Sequence, residues 1–204
     1  MQRFEHAAAF ILAGGASTRM GRDKALLEIG GQPMLLHVAK IVEPLVGSPE
    51  VIGAPERYSH LGLRVSADDF PGCGPLGGIA TALGHSQREW ILVLGCDLPH
   101  LTPAWLEYLI KRAGASRAGA LIPMSDTGYE PLCAMYSKRA EAAMVRALGA
   151  GVRKVMLGLA EVEVTTIAPG ESNKFDSDGR LFKNINSPAD YEEARGKFSM
   201  TGKR

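Results

Sequence analysis

The chain has 204 residues, 46% of them hydrophobic, enough for one sizeable core, and its formal net charge of +1 gives no reason to expect nucleic acid or an acidic membrane surface as partner. No apolar run approaches the roughly 20 residues of a membrane span, and Met1 to His6 is mixed polar rather than a signal segment, so the expected location is cytoplasmic. The three cysteines, Cys73, Cys96 and Cys133, form no Cys-x-x-Cys pair and the five histidines are not spaced as ligands with them, which predicts reduced thiols and no zinc.

Apolar and helical stretches alternate along the chain, the pattern of an α/β fold whose sheet is mostly parallel and carries helices on both faces. Residues 7–12 read as a buried first strand. Pro33 is placed at the first position of a helix reaching about Val46, with Pro44 disturbing its end. Residues 51–52 and 63–65 are short strands, 68–74 a loop, and Pro75 opens a helix to about Leu83. The apolar run 90–94 reads as a central strand that gives out at Gly95-Cys96-Asp97. Thr102 caps a helix with Pro103 at its first position, running to about Ala113. Further strands fall at 118–123, 132–136 and 162–167, with helices from Ser137 to about Leu148 and over 152–159. Ser187-Pro188 starts a last helix, with Asp190 favourable at its N-terminus, and residues 199–204 are expected to fray. With no repeat, long linker or low-complexity stretch, residues 1–204 are expected to form one domain.

The segment from Ile11 to Leu27 carries most of the chemistry. The first strand ends in Leu12-Ala13-Gly14-Gly15, and Ser17, Arg19, Gly21 and Lys24 follow closely. Glycine backbone can approach phosphates because no Cβ intervenes. Arg19 and Lys24 can neutralise charge that develops on a leaving pyrophosphate. An ordinary strand-to-helix turn would need the glycines but not two long cations. The loop is neither a Walker loop nor Gly-x-Gly-x-x-Gly. Asp97 stands where a strand ends, the edge at which ligands sit in open α/β sheets. Its hard oxygen suits Mg²⁺ shared with triphosphate oxygens. Asp68-Asp69 has the look of a solvated turn, and Gly74-Pro75-Leu76-Gly77-Gly78 places glycines in a helix either for close packing or for passage beside a ribose or base. Asn184 and Asn186 alternate on what is expected to be a short strand, which would put both on one face.

Leu12-Ala13-Gly14-Gly15 with Ser17, Arg19-Met20-Gly21 and Asp23-Lys24-Ala25-Leu26-Leu27 resembles the opening signature of the molybdenum cofactor guanylyltransferases. The resemblance continues through residues 74–78, 95–99 and 184–188, nearly the whole chain. It implies a Rossmann-like three-layer α/β/α nucleotidyltransferase fold of glycosyltransferase-A type. It also implies an activity: transfer of GMP from GTP to the phosphate of molybdenum-molybdopterin, with release of pyrophosphate. Under it, Leu12, Ala13, Gly14 and Gly15 line the nucleotide pocket. Arg19 holds the β- and γ-phosphates, Lys24 the α-phosphate, Asp97 the Mg²⁺, and Asp68 (or Asp69, one register away) contacts the nucleotide. Asn184 and Asn186 lie near the pterin or metal, and Arg153-Lys154 is a candidate for the molybdopterin phosphate. Proteins that donate or accept the cofactor are further partners it suggests. One departure is Gly53, where the family often has asparagine; any nucleotide contact there is left to backbone. Rival readings are the cytidylyltransferase for the same cofactor, a sugar-phosphate nucleotidyltransferase, and a non-catalytic nucleotide-binding scaffold.

Overall fold

A computed structural model describes residues 3–14 and 23–201, with side chains as far as 198. The chain enters with β1 (Ala7–Ala13). A small hairpin of β2 (Glu28–Ile29) and β3 (Gln32–Pro33) then leads into α1 (Met34–Val46). Next come β4 (Glu50–Gly53), the single turn α2 (Pro55–Tyr58), β5 (Arg64–Ser66), α3 (Gly74–His85) and β6 (Trp90–Gly95). The second half runs α4 (Pro103–Gly114), β7 (Ala120–Ser125), β8 (Gly128–Tyr129), β9 (Cys133–Ser137), α5 (Glu141–Gly149) and α6 (Val155–Gly158). It closes with β10 (Val164–Ile167), α7 (Pro169–Ser172) and α8 (Pro188–Thr201).

The main sheet has the order β10-β7-β9-β6-β1-β4-β5, with β8 paired to β7. All its pairings are parallel except those of β9 and β8. The exception has a simple cause: only a short loop and β8 separate β7 from β9, and a parallel return needs a crossover of a dozen or more residues. Helices cover both faces, as the side-chain alternation of the central strands requires. Ala7, Ala9, Ile11 and Ala13 of β1 join Trp90, Leu92 and Leu94 of β6 in the core beneath α1 and α4. Phe10, Ile91 and Val93 point the other way, into the core beneath α3 and α5. Burial of β6 on both faces explains why its sequence is a continuous apolar run.

Several boundaries differ from expectation. Pro33 is not the first helical residue; it closes the β2–β3 hairpin opposite Glu28, and α1 begins at Met34. Two-residue strands leave no periodicity to read. Ser137 ends β9, and its side chain accepts from the Arg139 N–H of a 3-10 turn, so α5 starts only at Glu141. No strand forms over 184–186. The segment is a loop whose middle residue, Ile185, is buried with Ile29, Met34 and Ala194, while Asn184 and Asn186 are exposed. The expected alternation therefore describes side-chain direction in a loop, not a sheet position. Helix α8 is described as far as Thr201.

Candidate active site

Leu12 of β1 lies opposite Gly95 of β6, so the carboxyl ends of both strands open on one edge. A cleft of about 1020 Å³ occupies that edge. Its wall includes Leu12, Ala13 and Gly14 from the end of β1, Asp23 and Lys24, the 53–58 segment after β4, Asp68 after β5, and Gly95 to Asp97 after β6. The volume suits a nucleotide-sized ligand, and the location follows from parallel strands ending together.

Lys24 opens a 3-10 turn, Lys24–Leu26, and Asp23 caps it by accepting the Ala25 N–H at 3.1 Å. This aims the Lys24 ammonium at Asp97, with Nζ 3.8 Å from Oδ2. The same ammonium donates to Asn186 Oδ1 at 2.7 Å, bridging 162 positions of sequence. The loop bearing Asn186 is tied down twice. The Ile185 N–H donates to the Asp97 carbonyl at 3.1 Å, and Asp190 accepts the N–H groups of Asn186 and Ser187. A Cβ at position 95 would stand 2.8 Å from Asp97 Oδ1, so Gly95 leaves room for the carboxylate. Burial pushes the Asp97 carboxyl above its ordinary range, and Lys24 pulls it back down. Cys96 lines the same cleft, and burial with the Asp97 charge pushes its thiol up, which works against a nucleophilic thiolate.

Of the adjacent acids, Asp68 lines the cleft. Its Oδ1 accepts the Thr81 hydroxyl at 2.8 Å and the Phe70 N–H at 2.9 Å, which fixes the carboxylate. Asp69 is exposed and pairs with His85 at 3.3 Å. Gly53 is paired with Ala13, and a Cβ there would come 2.3 Å from the Ala13 carbonyl oxygen and 3.0 Å from the Tyr58 ring. No side chain fits at that position. Gly78 also lines the cleft, while its missing Cβ lets α3 approach the Leu12 side chain.

Other predicted residues are not gathered in. Asn184 is exposed and is absent from the cleft lining; Asn186 is likewise exposed and outside the lining, and is joined to it only through Lys24. Arg153 donates to the Leu148 and Val152 carbonyls at the end of α5, and neither it nor the exposed Lys154 lines the cleft. Gly15 and Arg19 lie outside the described residues. Three residues carry structure that the sequence reading left unassigned. The Tyr58 hydroxyl donates to Asp23 Oδ2 at 2.8 Å, and Arg57 Nη1 reaches the same oxygen at 3.3 Å. Asp23 sits inside the phosphate-loop motif and could have been read as a cap; Arg57 and Tyr58 carry no comparable local signal.

A cleft at the carboxyl edge of a parallel sheet, with a lysine and a carboxylate facing each other beside glycine backbone, is the site of a nucleotidyltransferase. Residues 9–163 match the family model of the MobA-like NTP transferase domain, and the chain belongs to that family. It is 37% identical over 191 residues to a probable molybdenum cofactor guanylyltransferase of Deinococcus radiodurans, covering 93% of this chain and 94% of that one. It is 31% identical to a molybdenum cofactor guanylyltransferase of Syntrophotalea carbinolica, covering 92% and 90%. Among solved structures it resembles the molybdopterin-guanine dinucleotide biosynthesis protein A of Archaeoglobus fulgidus, with a TM-score of 0.83 and 28% identity over 95% of this chain and 99% of that one. A Thermus thermophilus 2-C-methyl-D-erythritol 4-phosphate cytidylyltransferase, at TM-score 0.69 and 16% identity over 94% and 98%, shares the fold.

Proposed function

We propose that the chain transfers GMP from GTP to the terminal phosphate of molybdenum-molybdopterin. A phosphate oxygen of the acceptor attacks the α-phosphorus, a new P–O bond forms, and the bond to the β-phosphate oxygen breaks to release pyrophosphate. The observation that carries this reading is the Lys24–Asp97 pair, 3.8 Å apart at the mouth of the cleft and joined through Lys24 to Asn186. It is supported by relatives named for the same reaction over nearly the whole chain.

Mg²⁺ fits the donor set. Among the described residues no cluster of three or more His, Cys, Asp or Glu could hold a metal alone. Mg²⁺ is commonly bound by one or two carboxylates plus substrate phosphates, and Asp97 supplies one such carboxylate, partly open to the cleft. Bound there, the ion would offset charge on the triphosphate and leaving group. The protein's own part is positioning and electrostatics. Lys24 holds the α-phosphate, Arg19 the β- and γ-phosphates, and the backbone of Leu12, Ala13 and Gly14 lines the pocket. Asp68 accepts from the ribose or from guanine N1–H and N2–H₂; cytosine offers a carboxylate only its N4 amine. Asn186 faces the acceptor and metal side, with Asn184 beside it. Arg153, Lys154 and Asn186 all stand outside the cleft lining, but Asn186 is bonded to Lys24, so acceptor binding rests first on Asn186. Among the described residues no helix is long and apolar enough to cross a membrane. The reading places the protein in the cytoplasm, alongside proteins that donate and accept the cofactor.

The deciding experiment measures Mg²⁺-dependent pyrophosphate release from GTP, CTP, ATP and UTP, with and without molybdopterin. Release from GTP that requires molybdopterin is expected. Release preferring CTP, release requiring a sugar 1-phosphate, or no release at all would overturn the assignment in favour of the corresponding rival.

A further inference from the structure

The order β9-β6-β1-β4-β5 sets the direction in which a nucleotide can lie. Its phosphates belong at Lys24 and Asp97, beyond β1 and β6. On one side of them the lining reaches only Leu132, just before β9. On the other side the cleft continues over the ends of β4 and β5, where Gly53 to Tyr58 and Asp68 line it. The base, the part of the nucleotide farthest from the γ-phosphate, therefore lies against the 53–58 segment. At that wall Gly53 can bear no side chain, because the Ala13 carbonyl and the Tyr58 ring fill the space. Tyr58 is itself only 2% exposed and has its hydroxyl committed to Asp23. Arg57 lines the cleft beside it with a side chain 59% exposed. Of its five donors, Nη1 meets Asp23 Oδ2 at 3.3 Å, and the guanidinium also lies within hydrogen-bonding reach of the Tyr58 hydroxyl. Tyr58 holds that same oxygen at 2.8 Å, so Asp23 stays in place if the guanidinium turns toward a ligand.

We infer that Arg57 is a specificity-determining residue that reads the O6 and N7 acceptors of guanine. The inference rests on the guanylyl-transfer reading above. A guanidinium matches that edge with two parallel hydrogen bonds. Adenine presents an amine donor in place of O6, and pyrimidines have no N7. Tyr58 and Asp23 position; Arg57 contacts the base.

The test is equilibrium binding of Mg²⁺ complexes of GTP, 7-deaza-GTP, ATP and CTP to the wild type, Arg57→Ala and Arg57→Lys. The wild type is expected to favour GTP over 7-deaza-GTP and ATP by about tenfold or more. In Arg57→Ala that preference collapses while CTP binding changes little. Arg57→Lys keeps the charge but loses most of the preference, since an ammonium lacks the fork. Arg57 is exposed, so all three proteins are expected to melt alike, which separates recognition from folding. Retention of the GTP preference in Arg57→Ala would overturn the inference, as would an equal loss for all four nucleotides, which would put Arg57 on the phosphates. A wild type that favours GTP over CTP but does not distinguish 7-deaza-GTP overturns the inference alone. A wild type with no preference for GTP overturns the guanylyl reading itself.

Discussion

Lys24 and Asp97 meet in a partly desolvated cleft, where each opposite charge matters more than it would in water. Replacing either by alanine is expected to lower turnover by about 10²-fold or more, measured as pyrophosphate release under saturating substrate. Asp97 also makes a stability argument. Burial raises its folded pKa above the ordinary 3.8, so the folded protein binds that proton more readily than the unfolded chain does. The carboxyl therefore costs nothing below about pH 3.8 and weakens the fold increasingly as pH rises through the folded value. Asp97→Asn is thus expected to melt higher than the wild type at neutral pH without metal, while losing activity; a lower melting temperature would show that the Lys24 attraction outweighs desolvation. Gly53 gives an opposite result. Gly53→Asn inserts a Cβ 2.3 Å from a backbone oxygen and is expected to destabilise by roughly 1–3 kcal/mol in denaturant unfolding, without tightening GTP.

At the scale of elements, α8 and the loop before it hold Asn186 over Lys24. Ile185 and Ala194 pack on Ile29 and Met34, and the Phe198 ring lies 4.8 Å from His37 and 5.5 Å from His100. His37 also meets the Pro99 carbonyl through Nε2 at 2.9 Å. Burial pushes His100 down to about 4, assisted by Lys197, Arg180, Lys183 and His37. Burial lowers His37 too, opposed by the Pro99 hydrogen bond. Both imidazoles are held neutral in the fold, so the unfolded chain binds more protons below its value of 6.5. Stability is full above about pH 6.5 and falls as pH drops toward 4. The melting temperature is expected to decline over that window, and His100→Phe, which keeps a ring against Phe198 but cannot charge, is expected to flatten the decline.

Over the whole molecule, the cleft is assembled from the ends of β1, β4, β5 and β6, and the loop that precedes α8 reaches it through the Asn186 bond to Lys24. A ligand that touches all of them binds only the folded chain. GTP with Mg²⁺ at a hundred times its Kd is therefore expected to stabilise by about 2.7 kcal/mol, read as a raised melting temperature, with a smaller shift from CTP at equal concentration.

The longer strands of the main sheet, their apolar faces and the starts of α3, α4 and α8 were legible in the chain because they follow from local rules: period-two burial in β1, a continuous apolar run in β6, Thr102 and Pro103 opening α4. Lys24, Asp68, Asp97 and Asn186 were each visible as chemistry at a predicted strand end or loop. That Lys24, Asp68 and Asp97 share one cleft, with Asn186 bonded to Lys24 beside it, was not, since Lys24 and Asn186 stand 162 positions apart and no local pattern measures such a distance. Packing also made three choices that composition leaves open. It reversed β9, because the connection from β7 is too short for a crossover. It left the 184–186 segment out of the sheet, because Ile185 has a buried place beside the β2–β3 hairpin. And it closed position 53 to any side chain, because Tyr58 and the Ala13 carbonyl already occupy the space, passing that wall of the cleft to Arg57.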